Sequence, residues 1–177
     1  MRSFITGLVA ALSIAQPALA QQERYTPREF RHQGHEYVAV VVGSSRCGWS
    51  NVESFVAVID PMLRRLRDQA HDRGTLFTAI GVAVDDVEPG LAYLQRLAAF
   101  DEVAAGNVWL NTGLREYVWG EGRAEPSTPT LVLLERRFAD GLEEPLAMTT
   151  QVLKLIAGAD SIVAFVEAGA PLPTSSP

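Results

Sequence analysis

Tyr37-Val38-Ala39-Val40-Val41-Val42-Gly43 runs into Ser44-Ser45-Arg46-Cys47-Gly48-Trp49-Ser50, and residues 51–59 follow with helical spacing. The first run is apolar at nearly every position. A strand covered on both faces reads this way, as in the centre of an α/β sheet, whereas a half-solvated strand alternates. Its expected span is 36–42. The second run is short and polar, with a glycine, and reads as a loop. The third places Val52, Phe55, Val56 and Ile59 on one helical face. The only cysteine of the chain therefore sits at a strand-to-helix junction.

Downstream, Asp60-Pro61 interrupts the helical pattern. Either Asp60 caps a second helical segment with Pro61 in its first turn, or Pro61 kinks one long helix. Met62, Leu63 and Leu66 continue the apolar face, and Gly74 is the expected C-cap. Residues 75–84 read as a second strand closed by Asp85-Asp86. Pro89 opens a helix with Leu91, Leu94, Leu97 and Ala98 on one face. Residues 104–110 predict a short strand around Val108 and Trp109, and Asn111 or Thr112 predicts the cap of a short helix. Residues 125–129 form a turn and 130–135 a buried strand. Asp140-Gly141 marks a hairpin leading to a strand within 145–156. Asp160 is the expected N-cap of a closing helix. The order is β-α-β-(α-β)-α-β-β-α, an α/β domain with a central mixed β-sheet flanked by helices.

Of the 177 residues, the first twenty read as a leader. Arg2 supplies the positive end, 4–14 an apolar core too short to span a bilayer comfortably, and Ala18-Leu19-Ala20 the small-residue cleavage site. The domains expected are a signal peptide at 1–20, one folded domain at 36–168, and a disordered tail at 169–177, rich in proline, serine and threonine. The net charge is −6, one unit more negative once Arg2 is removed. That argues against a nucleic-acid surface and against anionic lipid. The expected location is periplasmic or secreted, with no membrane association after cleavage. Such compartments oxidise thiols, yet a single cysteine forms no internal disulfide. Cys47 remains a thiol, pairs with another molecule, or oxidises further. A disulfide-linked dimer through Cys47 is one such pairing.

This order of elements, with Cys47 after the first strand and Thr128-Pro129-Thr130-Leu131 before the hairpin, resembles the thioredoxin-like superfamily. The segment from Asp85 to Leu110 is similar to the insertion of the branch that holds TlpA-type and cytochrome-maturation thioredoxins. The resemblance covers about residues 36–168 and implies a thioredoxin-like fold. It implies that Cys47 is the nucleophile, that Gly48 and Trp49 are the intervening residues, and that Ser50 replaces the resolving cysteine. It also implies a cis Pro129 that helps present substrate backbone, with Thr128 facing the thiol. Arg46 stands where thioredoxins usually carry tryptophan. Cys47-Gly48-Trp49-Ser50 is also similar to the Cys-Gly-Phe-Ser centre of monothiol glutaredoxins, which bind glutathione and an iron–sulfur cluster. That match covers four residues, and no cofactor is expected from it.

Two functions follow. In one, Cys47 performs monothiol thiol–disulfide chemistry with a protein or glutathione-type partner. In the other, the fold is a redox-inactive module whose groove around Trp49, Thr128 and Pro129 holds an extended peptide. A helix N-terminus, an inward Arg46 and a Ser50 hydroxyl would all favour the thiolate. The alternative is an inert, half-buried cysteine. Ser50-Asn51-Val52-Glu53 also fits an S-x-x-E capping box, so the helix starts at Cys47 or at Ser50. Trp49 is either a partly exposed cover for substrate or a packed loop residue, whereas Trp109 and Trp119 are expected in the core. Asp85 and Asp86 are expected to be solvated rather than metal-binding, and His32, His35 and His71 to be surface residues.

Overall fold

The computed structural model describes residues 34–119, 127–138 and 148–173. The leader, His32, Asp140-Gly141 and the last four residues lie outside these. The described elements are β1 (His35–Gly43), α1 (Glu53–Asp72), β2 (Leu76–Ala83), α2 (Val87–Leu97), β3 (Glu102–Ala104), α3 (Thr112–Tyr117), β4 (Thr130–Phe138), β5 (Met148–Ala157) and α4 (Ala159–Glu167). They form one mixed five-stranded sheet in the order β3-β2-β1-β4-β5. β1 runs parallel to β2 and antiparallel to β4. β2 and β3 are parallel, and β4 and β5 antiparallel. The chain is thus α/β, with helices on both faces of the sheet.

The central strand explains the two layers. Successive side chains of a strand point to opposite faces. Tyr37, Ala39 and Val41 join Phe55, Ile59, Tyr93, Leu94, Ile162 and Phe165 in one apolar core beneath α1, α2 and α4. Val38, Val40 and Val42 join Leu114 of α3 and Val118 at its C-terminal cap in a second. Burial of both faces is what an uninterrupted valine run requires.

Of the two readings at Asp60-Pro61, the one long helix holds: α1 continues through Pro61, which is exposed. Several other expectations are corrected. Residues 104–110 are not a strand. β3 ends at Ala104, and Val108–Leu110 is a short 3-10 turn entered through Asn107 and Val108, both at positive φ. That left-handed backbone turns the apolar residues outward, so Trp109 is exposed rather than core and stacks on Trp119 at 5.8 Å. Asn111 does cap α3, accepting from the Leu114 N–H at 3.0 Å. Asp160 lies in the first turn of α4; the capping position is Gly158 at φ 90°. Residues 170–173 pack against the domain instead of trailing free. Ala170 and Leu172 are buried, and Gln69 and Arg73 hydrogen-bond their backbone. His35 is not a free surface residue: it pairs with the buried Glu135.

Candidate functional site

The loop from Ser44 to Val52 rests on two clamps. On one side is Asp85, at the C-terminal end of β2 and buried. Its carboxylate accepts from Ser44 Oγ at 3.1 Å, Ser45 N at 2.7 Å and Ser45 Oγ at 2.9 Å. Three donors offset the cost of burying one charge. Asp85 is therefore a structural anchor, not the solvated acid expected. On the other side is Asn51, whose amide donates to the carbonyls of Ser44, Ser45 and Cys47 at 3.0, 3.2 and 2.7 Å.

The helix after the loop starts at neither expected position. Trp49–Asn51 forms a 3-10 turn, and α1 begins at Glu53 with Val52 as its cap residue and no side-chain cap. The capping box is absent. Ser50 is fully buried, and its hydroxyl has no hydrogen-bond partner. Its backbone carbonyl accepts from the Tyr93 hydroxyl at 3.2 Å.

Cys47 is half-buried. Its thiol donates to the carbonyl of Thr128 at 3.3 Å, across 81 residues of chain. The Thr128-Pro129 bond is cis, and the Pro129 carbonyl is held by the Gly158 N–H at 2.9 Å. Burial pushes the Cys47 thiol up. The side chains of Thr128 and Ser50 and the backbone N–H groups of Ser50 and Trp49 outweigh it, and the thiol lies below its ordinary value. Two arrangements follow. The protonated sulfur gives its hydrogen to the Thr128 carbonyl and leaves the Ser50 hydroxyl unpaired. The ionised sulfur becomes an acceptor that the two hydroxyls and two N–H groups can serve.

The structure thus brings Cys47, Ser50, Thr128 and Pro129 together. Gly48 and Trp49 form the open rim, with Trp49 62% exposed. Arg46 does not turn onto the sulfur. Its guanidinium reaches Asp86 at 3.0 Å, both side chains being largely solvated. Sequence reasoning missed Asn51, Asp85, Tyr93 and Arg96, which hold the loop. The signal for Asp85 was present in two hydroxyl residues opening the loop and an acid closing the parallel neighbour of β1. Among the described residues no group of three or more His, Cys, Asp or Glu side chains is placed to hold a metal ion, and no helix is long and apolar enough to cross a membrane. No protein-family model, curated protein or solved structure matches this chain.

Proposed function

We propose that the chain is an exported, thioredoxin-like monothiol redox protein that uses Cys47 as its nucleophile. One observation carries this reading. The thiol of Cys47 faces the backbone carbonyl that precedes Pro129, so an extended substrate backbone laid along that segment brings its own sulfur to Cys47. The lowered thiol raises the share of thiolate, the attacking form.

The chemistry balances without a second protein sulfur. The Cys47 thiolate attacks one sulfur of a disulfide R–S–S–R′, forming Cys47–S–S–R and releasing R′–S⁻. A thiolate R″–S⁻ from outside then attacks the R sulfur, forming R–S–S–R″ and returning Cys47–S⁻. Ser50 supplies a hydroxyl to the ionised sulfur and cannot resolve the adduct. The partner is therefore a protein or glutathione-type disulfide together with an external thiol.

The exposed indole of Trp49 favours the second reading, a peptide-holding module that leaves sulfur unchanged. Treatment with a chromogenic aromatic disulfide separates the two. The redox reading expects one thiolate released per chain, an adduct mass on Cys47, its removal by added free thiol, and none of these in Cys47→Ser. Absence of an adduct on the folded wild-type protein contradicts it, and peptide binding unchanged in Cys47→Ser then supports the module.

A further inference from the structure

The Cys47 loop gathers three backbone carbonyls around one side chain. Those of Ser44, Ser45 and Cys47 all lie within one tight turn. An unpaired carbonyl dipole beside the sulfur favours the protonated form, whereas N–H groups favour the ionised one. Backbone N–H groups reach two of these carbonyls, Cys47 N–H that of Ser44 at 3.3 Å and Ser50 N–H that of Cys47 at 3.1 Å, and one side chain, that of Asn51, reaches all three.

We propose that Asn51 is the positioning residue for Cys47: its side-chain amide gathers the carbonyls of Ser44, Ser45 and Cys47 to one side of the turn, and Arg96 fixes the orientation of that amide. The three carbonyls reach the same Nδ2 at 2.7–3.2 Å. The Ser50 N–H donates to the Cys47 carbonyl at 3.1 Å, so the amide that holds this carbonyl also fixes the backbone N–H groups of Ser50 and Trp49 that favour the ionised sulfur. An asparagine amide presents a donor end and an acceptor end of nearly equal shape. Here the ends are distinguished, because the guanidinium of Arg96 donates to Oδ1 and so commits the NH₂ group to the carbonyls. Arg96 is itself held on α2, with its guanidinium 5.7 Å over the ring of Tyr93. Tyr93 in turn donates to the Ser50 carbonyl. One face of α2 therefore supports the turn at two successive residues. Asn51 and Arg96 touch no reacting atom, and their action runs through the backbone of the loop.

This inference rests on the reading of Cys47 as a reactive thiol, and the experiment tells the two apart. The charged and titratable groups around the loop are Arg46, Glu53, Asp85, Asp86, Tyr93 and Arg96, and only the last is altered. Iodoacetamide alkylation of Cys47 is followed against pH in four proteins: wild type, Asn51→Leu, Arg96→Met and Arg96→Gln. Asn51→Leu keeps the volume, removes the amide and adds no charge. It is expected to raise the inflection by about one pH unit, a roughly tenfold loss of thiolate near neutrality. Arg96→Met is expected to shift it in the same direction. Arg96→Gln, which restores a donor for Oδ1 without the charge, is expected to recover most of that shift. If Asn51→Leu does not fold, the Arg96 pair carries the test alone. A low wild-type inflection left unmoved by Asn51→Leu overturns the inference and leaves the reactive thiol standing. So does an Arg96→Gln shift as large as that of Arg96→Met, which assigns the effect to charge. An ordinary inflection in the wild type overturns the reading of Cys47 itself.

Discussion

Ser50 is the residue where structure and pattern part most instructively. Its hydroxyl fits a capping box by spacing, and removing such a cap costs about 1 kcal/mol. The structure instead buries that hydroxyl beside Cys47 with no partner. A buried unsatisfied hydroxyl is itself a cost of about 1–3 kcal/mol. Ser50→Ala is therefore expected to leave the protein as stable or more stable at low pH, read from the urea midpoint, while raising the pH at which Cys47 ionises. Loss of about 1 kcal/mol with unchanged ionisation would restore the capping role. Thr128→Ala is expected to raise the pH of ionisation too, because it removes a hydroxyl that favours the thiolate and keeps the carbonyl that accepts from the thiol. The check is the pH at which ultraviolet thiolate absorbance appears; an earlier onset contradicts the assignment.

Elements were legible where one physical signal dominated. β1 was readable to within a residue at each end, because a short valine-rich run closed by glycine has the length and β-branched content of a doubly covered strand. The 3-10 turn at Val108–Leu110 was not. Its residues are apolar and strand-like, and only the backbone of Asn107 and Val108 turns them outward. The loop clamps were illegible for another reason: Asp85 and Asn51 act across the fold, and periodicity carries no information on such contacts. A sharper test lies where α2 meets β1. A Cβ built on Gly43 would lie 2.2 Å from the Tyr93 hydroxyl oxygen and 2.7 Å from the ring. Gly43→Ala is expected to cost about 1–3 kcal/mol by overpacking and to break the Tyr93 contact with the Ser50 carbonyl. A denaturant midpoint equal to wild type would show that Tyr93 does not brace this junction.

At the scale of the molecule, the C-terminal stretch and the single thiol both enter stability. Leu172 is 4% exposed; its N–H donates to Gln69 of α1 and its carbonyl accepts from Arg73 at the end of that helix, both at 2.8 Å. Leu172→Ala is expected to destabilise the fold by about 2 kcal/mol or more, measured by thermal unfolding, whereas a free tail would show no change. Cys47 links stability to pH. Its folded value lies below the unfolded one, so it contributes stability above the unfolded thiol value and loses that contribution as pH falls through the lowered folded value. The stability of wild type relative to Cys47→Ser should therefore rise with pH from the lowered folded value up to the ordinary thiol value of about 8.5. A difference that stays flat with pH contradicts the lowered thiol. The most direct measurement is the alkylation rate of Cys47 in the native protein as a function of pH. The account predicts an inflection below about 8.5, the ordinary thiol value, with faster reaction than an ordinary thiol at the same pH. An inflection at or above that value, with slow reaction, would contradict it and leave the fold as a scaffold around an inert sulfur.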